Sequence, residues 1–348
     1  MYLERIRLVQ YGPFGEFDLD LTDETGDPRR LVVIHGEGGT GKSSLIEAMA
    51  HTRPGKVTPL TPARRRDIET AHAVCDWRLS LEHPERPYPL RVMSPNVRSD
   101  DAGELARRRE QSQYDRAAAQ GPGFVFVEIP SQRYFSPASL GLNDPARMMT
   151  RYEPRGASLG YEAGRPDLTR PCKQALSYAA ISAALNRQSR HSRPPANVLG
   201  QAMDAAVRDI TELAGYRYAG LDTHSLEPVF ETAAGTELSF DNLPTQLRHL
   251  IAFVAIPIRA TWAGHSGADP RITECVIAID DFELYLGPRV MAGLFPVLRR
   301  ALPRAQWILT TGSPYAAAAA EADCLFTLRR EPITDVVSLF TGHQALTH

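Results

Sequence analysis

The stretch Gly36-Glu37-Gly38-Gly39-Thr40-Gly41-Lys42-Ser43 constrains the fold more than any other part of the chain. It satisfies the pattern G-x-x-x-x-G-K-[ST], and its surroundings are those the pattern needs. The β-branched run LVVIH (31–35) leads into it, and SSLIEAMAH (43–51) follows with apolar residues at helical spacing. A loop between a buried strand and a helix N-terminus folds into a nest of backbone N–H groups, with glycines taking the left-handed turns. The helix macrodipole favours an anion at the same place. Lys42 adds a point charge for the β- and γ-phosphates, and Ser43 offers a hydroxyl to Mg²⁺. The competing reading, a glycine-rich turn with an incidental lysine, leaves the strand–loop–helix setting unexplained. The sequence therefore predicts a nucleoside triphosphate, ATP with Mg²⁺, held by Gly36, Glu37, Gly38, Gly39, Thr40, Gly41, Lys42, Ser43 and the adjacent Ser44.

A second constellation stands far downstream. Val276-Ile277-Ala278-Ile279-Asp280-Asp281 reads as a buried strand ending in two carboxylates. The first acid at such a strand end is a candidate Mg²⁺ partner, here Asp280, and the next a candidate base for the attacking water, here Asp281. The plain alternative is a solvated loop after a core strand, and the presence of the phosphate loop argues against it.

The intervening pattern gives the organisation. Residues 2–9 and 16–21 read as strands around a Tyr11–Gly15 turn, and 71–80, 88–93 and 124–129 as further strands. The polar stretch 97–122 reads as an exposed helix or loop. Residues 171–214 are helical in pattern with a break at Arg193-Pro194-Pro195, and 216–240 reads as short antiparallel strands turning at Ala234-Gly235. From 245 onward helices (245–262, 288–301, 315–320) alternate with strands (275–280, 306–311, 323–329, 335–340). That alternation predicts a largely parallel sheet covered by helices. The expected segments are an N-terminal part of a nucleotide-binding unit at 1–135, a helical lobe at 136–215 and a C-terminal part at 216–348.

Composition narrows the function classes. The net charge is −2, so nucleic-acid binding would need a local patch. The basic runs Arg64-Arg65-Arg66 and Arg107-Arg108-Arg109 have acidic neighbours and read first as solvated faces, with DNA phosphates as the alternative. The four cysteines are scattered singly, which argues against a zinc site or disulfide framework and fits a reducing cytoplasm. No apolar run approaches the ~20 residues that cross a bilayer. His35 is expected at a strand end beside the loop, and Tyr134, Phe135, Tyr216 and Tyr218 as packing residues.

The words around the motifs resemble a family: the ABC-type ATPases of the RecF, SMC and OLD group, in a short RecF-like form without coiled-coil arms. The resemblance rests on YGPFGEF (11–17), GEGGTGKSSLIEA (36–48), Asp280-Asp281-Phe282-Glu283-Leu284-Tyr285-Leu286-Gly287-Pro288 and Thr310-Thr311-Gly312-Ser313-Pro314. It spans about 1–55 and 235–330 in the family's order. It implies an α/β phosphate-loop NTPase, an ABC-type head with a mixed sheet and an inserted helical lobe. It also implies that Leu243-Pro244-Thr245-Gln246 stands at the signature segment, which reaches across a homodimer to the partner's γ-phosphate. Gln132, with Arg133 as competitor, takes the place of the glutamine that senses Mg²⁺ and water, and Glu283 is an alternative carboxylate.

The departures from that pattern point one way. Asp281 stands where a glutamate is usual, retracting the carboxylate by roughly 1–1.5 Å, and displacements of that size cost ~10²-fold in rate. Gly312 replaces a histidine that contacts the γ-phosphate, and Pro244 and Gln246 replace serine and glycine. The implied function is an ATP-dependent dimerisation switch with slow hydrolysis, as a homodimer or higher oligomer. Such a switch would act in anti-phage defence or DNA repair with a separate effector protein, nucleic acid being a further partner. The alternative is a non-hydrolysing structural subunit of a larger assembly that bound nucleotide stabilises. A transport ATPase, which needs a membrane partner, fits the signature layout poorly.

Overall fold

The computed structural model describes residues 1–54, 56–57, 59–67, 69–78, 89–95, 125–140, 166–188, 194–265 and 267–346. The alternating start of the chain forms β1 (Tyr2–Tyr11) and β2 (Phe14–Asp20), paired antiparallel with Tyr11 opposite Phe14 across a turn through Gly12 and Pro13. The continuous apolar run forms β3 (Leu31–Gly36), and the phosphate loop opens α1 (Lys42–His51). A short hairpin of β4 (Thr52–Arg53) and β5 (Lys56–Val57) precedes β6 (His72–Arg78), β7 (Leu90–Met93) and β8 (Phe126–Ile129). The polar stretch 97–122, with the basic cluster 107–109, lies outside the described residues.

The helical pattern of 171–214 resolves into α2 (Thr169–Gln188) and α3 (Pro194–Leu213). Proline at the start of α3 explains the break, since its fixed φ suits the first helical turn and its missing N–H is not needed there. A meander of β9 (Tyr216–Leu221), β10 (Pro228–Thr232) and β11 (Glu237–Ser239) follows, turning at Gly235 with φ 79°. Then come α4 (Thr245–Gly264), β12 (Cys275–Ile279), α5 (Pro288–Ala301), β13 (Ala305–Thr311), α6 (Pro314–Ala318), β14 (Leu325–Arg330) and β15 (Val337–Thr341).

Two compact units emerge from the packing. The first comprises Met1–Ser131, Glu274–Phe282 and Gln306–His348; the second comprises Gln132–Thr273 and Glu283–Ala305. The first unit holds a six-stranded sheet in the order β15-β14-β3-β13-β12-β8 and an antiparallel sheet in the order β2-β1-β6-β7. In the larger sheet β3 runs parallel to β13 and β14, β12 runs parallel to β8, and β15 closes the edge antiparallel. Every residue of β12 and β13 is buried, and β12 reads as an unbroken apolar run. Besides Thr310 and Thr311, β13 carries one further buried polar residue, Gln306. Its amide accepts from Leu3 N at 2.7 Å and donates to Leu3 O and Arg29 O at 2.9 and 3.1 Å, so both ends are satisfied where water is absent.

In the second unit α3 packs against α2, α4, α5 and β9. The helical segment expected over 136–215 falls within this unit, which packing extends to the meander, α4 and α5. A buried cation ties its parts together: Lys173 Nζ donates to Asp241 at 2.6 Å, to Glu227 at 3.1 Å and to Ala138 O at 2.6 Å. Among the described residues no helix is long and apolar enough to cross a membrane.

Candidate phosphate-binding site

The loop leaves β3 at Gly36 and turns through Gly39 and Gly41, whose φ values of 84° and 93° lie in the left-handed region. Gly41 is the N-cap of α1 and has no room for a side chain. A Cβ there would lie 2.6 Å from Pro13 Cγ and 2.7 Å from the Phe14 ring. The β1–β2 turn therefore braces the loop from behind, which gives the Tyr11–Gly15 turn a structural reason to sit early in the chain. Thr40 Oγ1 donates to Glu37 O at 2.8 Å, and Lys42 Nζ donates to Gly36 O at 2.7 Å and Glu37 O at 3.3 Å. The lysine is folded over the loop with its ammonium on the carbonyl side. His35 is the penultimate residue of β3, beside the loop as the sequence predicts.

The acidic strand end meets this loop in the same unit. Ser43 Oγ donates to Asp280 Oδ2 at 2.6 Å, and Thr310 Oγ1 donates to Asp280 Oδ1 at 2.6 Å. Asp280 is wholly buried. Thr310 also accepts from Asp281 N through its hydroxyl at 2.8 Å and from Phe282 N through its carbonyl at 3.0 Å. The end of β13 thus fixes the turn that follows β12, and Asp281 takes φ 44° in it, a conformation aspartate tolerates better than most residues. The Asp281 carboxylate lies 3.9 Å from Lys42 Nζ. Lys42, Ser43, Asp280 and Asp281 are brought together.

A cavity of about 500 Å³ opens over the loop. Its walls are Gly39 and the stretch from Gly41 to Ser44, the β1–β2 turn, Arg64, Arg65, Arg66, and Arg330 with Asp335 on the β14–β15 hairpin. The run Arg64-Arg65-Arg66, read from sequence as a solvated face, lines this cavity, with Arg66 exposed. Arg64 is anchored to α1, donating to Ser44 Oγ at 2.7 Å and pairing with the buried Glu47 at 2.5 Å. Arg65 donates to Leu60 O at 2.8 Å and Arg66 to Pro13 O at 3.3 Å. Ser44 faces this arginine and is buried.

The residues present suit a magnesium–triphosphate. The loop supplies a glycine cradle at a helix N-terminus under a cationic wall. The hydroxyl of Ser43 and the carboxylate of Asp280 supply hard oxygen donors of the kind Mg²⁺ takes.

The remaining candidates belong to the second unit. Gln132 is exposed just past β8, whereas its competitor Arg133 is buried with its guanidinium 5.2 Å from the Phe253 ring centroid. Glu283 is partly exposed and accepts at its carbonyl from Leu286 N at 2.8 Å. Pro244 is the N-cap of α4 and offers no side-chain cap. Gln246 Oε1 accepts from Gly287 N at 3.0 Å, so its side chain ties the start of α4 to the loop before α5. Phe135 packs on Phe240 and His249, and Tyr218 on Phe230, in keeping with a packing role. In the first unit Gly312 precedes Ser313, whose hydroxyl caps α6 by accepting from Ala316 N at 3.3 Å.

Three contacts had no sequence signal of their own. Thr310 stands in the segment 310–314 that carries the resemblance, but nothing there marks its bond to Asp280; Arg330 sits on a late hairpin, and the arginine run carries no mark of which surface it faces.

Comparison with known proteins adds the fold. A family model described as an AAA domain matches residues 1–55, the strand pair, phosphate loop and α1. No curated protein matches the sequence. Among solved structures the chain is similar to an SMC head bound to the C-winged helix domain of ScpA, with 12% identity, 98% of each chain covered and a TM-score of 0.53. It is also similar to an SMC head with an extended coiled coil bound to the C-terminal domain of ScpA, derived from Pyrococcus furiosus. There the identity is 12%, the coverage 99% of this chain and 98% of that one, and the TM-score 0.51. At such identity the likeness is one of architecture, and it establishes that the chain has the mixed α/β phosphate-loop NTPase fold of SMC head domains.

Proposed function

We propose that the chain binds ATP with Mg²⁺ on residues 36–43 and works as a slowly hydrolysing, nucleotide-dependent dimerisation switch. The observation that carries this reading is the convergence of Lys42, Ser43, Asp280 and Asp281, of which Lys42 and Ser43 also line a cavity walled by arginines. Lys42 already donates to loop carbonyls and would exchange these for phosphate oxygens; a bound anion replaces contacts that lie in place rather than building new ones. Ser43 and Asp280 would hold Mg²⁺, which supplies charge neutralisation on the phosphates when bound. Asp281 is the candidate to orient the attacking water.

Slow turnover is supported by the chemistry of the candidates. Aspartate has the shorter reach at position 281, Gly312 has no side chain to offer the γ-phosphate, and the Gln246 amide is engaged with Gly287 of its own chain. In the dimer the segment 243–246 of one copy would face the nucleotide of the other. A protein partner is in keeping with the solved heads, both of which are bound to parts of ScpA. The setting proposed for that partner is anti-phage defence or DNA repair.

Calorimetric titration of MgATP into the wild type and Lys42→Ala tests the site. The wild type is expected to bind at micromolar or tighter concentration and Lys42→Ala to lose at least about tenfold in affinity, a difference of about 1.4 kcal/mol. Equal binding by both would remove residues 36–43 from the account.

A further inference from the structure

The β14–β15 hairpin carries a feature that the phosphate loop and the acidic strand do not use. Arg330 ends β14, and its guanidinium is gripped on one side by Asp335: Nε lies 2.6 Å from Oδ1 and Nη2 donates to Oδ2 at 2.7 Å. The grip leaves the Nη1 edge turned the other way, toward the phosphate loop. A Cβ built on Gly39 would lie 3.4 Å from Arg330 Nη1. Both residues line the cavity over that loop.

The hairpin is held at this place by its own geometry. Asp335 takes φ 58° in a tight connection where Asp335 N donates to Glu331 O and Glu331 N to Val336 O, each at 2.9 Å. Val337 N then donates to Pro13 O at 3.3 Å, tying the hairpin to the turn that braces Gly41. Position and direction of the guanidinium are therefore set by backbone contacts of the hairpin and by the Asp335 carboxylate.

Stability does not explain the pair. Arg330 and Asp335 side chains are 43% and 63% exposed, and an ion pair this exposed contributes little to folding. A fork-shaped donor fixed along one edge, with its other edge over a phosphate-binding loop, suits an oxygen of a polyphosphate.

We infer that Arg330 is a nucleotide-binding residue that donates from Nη1 to the phosphate chain held by the same copy's loop, and that Asp335 is its positioning residue. The inference rests on the reading of residues 36–43 as a nucleotide site and adds a contact from the C-terminal hairpin to it. Loss of the guanidinium weakens binding of nucleotides with β- and γ-phosphates and leaves AMP binding unchanged. Loss of the Asp335 carboxylate weakens the same nucleotides less, because the charge remains while its direction is lost.

Calorimetric titrations with MgATP, MgADP and AMP, on the wild type, Arg330→Ala, Arg330→Lys, Asp335→Ala and Lys42→Ala, test this directly. Arg330→Ala is expected to raise the Kd for MgATP about tenfold, with an unliganded melting midpoint equal to wild type. Arg330→Lys is expected to recover part of the loss, and Asp335→Ala to raise the Kd about threefold. Wild-type MgATP affinity in Arg330→Ala, alongside lost affinity in Lys42→Ala, would overturn the Arg330 assignment and leave the loop reading standing. Equal weakening of ATP and AMP would assign Arg330 to hairpin structure and likewise overturn it. Wild-type affinity in Lys42→Ala would overturn both readings together.

Discussion

Asp281 shows how a single carboxylate is placed by groups distant in sequence. Its backbone N–H is held by Thr310, its φ of 44° turns the chain out of β12, and its side chain ends 3.9 Å from the Lys42 ammonium. If this carboxylate orients the attacking water, Asp281→Asn keeps the shape and removes the base. Phosphate release at saturating MgATP should then fall by ~10²-fold or more, with nucleotide affinity retained. Asp281→Glu restores the longer reach, and its turnover should exceed that of the wild type. A wild-type rate in Asp281→Asn would remove Asp281 as the base. The first members of this site were readable from sequence because each belongs to a short local pattern: a loop of fixed spacing, and two acids closing an apolar strand. Thr310 was not, since its bond to Asp280 spans 30 residues and appears only when β13 lies beside β12. Arg64 and Arg330 were legible as charges but not as walls of one cavity, because nothing in a basic residue states what it faces.

At the scale of elements, α4 carries the most informative buried group. His249 lies one turn from its start, nearly free of solvent contact, with Nδ1–H donating to Thr245 O at 2.8 Å. The rings of Phe135, Phe253 and Tyr285 surround it, and Arg133 and Arg248 are its charged neighbours. Burial, then the Arg133 charge, lower its pKa from 6.5 to about 4, so the native ring is neutral at pH 7. A group with a depressed native pKa makes the unfolded chain bind the extra proton first. The contribution of His249 to stability is therefore complete above about pH 6.5 and is lost as the pH falls toward 4. At 1.36 kcal/mol per pKa unit the loss approaches about 3 kcal/mol. Urea unfolding at pH 7 and pH 4.5 should show this decline in the wild type and a shallower one in His249→Phe; parallel declines would assign the acid sensitivity elsewhere.

The elements themselves were largely legible. The helix expected over 288–301 has those bounds, and the break at Arg193-Pro194-Pro195 separates α2 from α3, because apolar spacing and proline act within a few residues. Strand order was not, since the place of β13 between β3 and β12 depends on pairings between segments far apart in the chain. The antiparallel edge strand β15 was likewise invisible to a pattern that marks strands but not their direction.

For the molecule as a whole, nucleotide is the agent proposed to join two copies. The sites proposed for phosphate and for water activation lie on one chain, and the segment 243–246 is proposed to complete the site of a second. An assembly that nucleotide merely stabilises would keep its size without ATP. A switch would change its size, and slow hydrolysis would make the change persistent enough to measure. The most direct measurement is sedimentation of the wild type, Asp281→Asn and Lys42→Ala, each with and without MgATP. The account predicts a smaller species for all three without nucleotide, a twofold rise in mass with MgATP that is fullest in Asp281→Asn, and no change in Lys42→Ala. A mass that ignores MgATP in Asp281→Asn, under conditions where calorimetry shows the nucleotide bound, would contradict it.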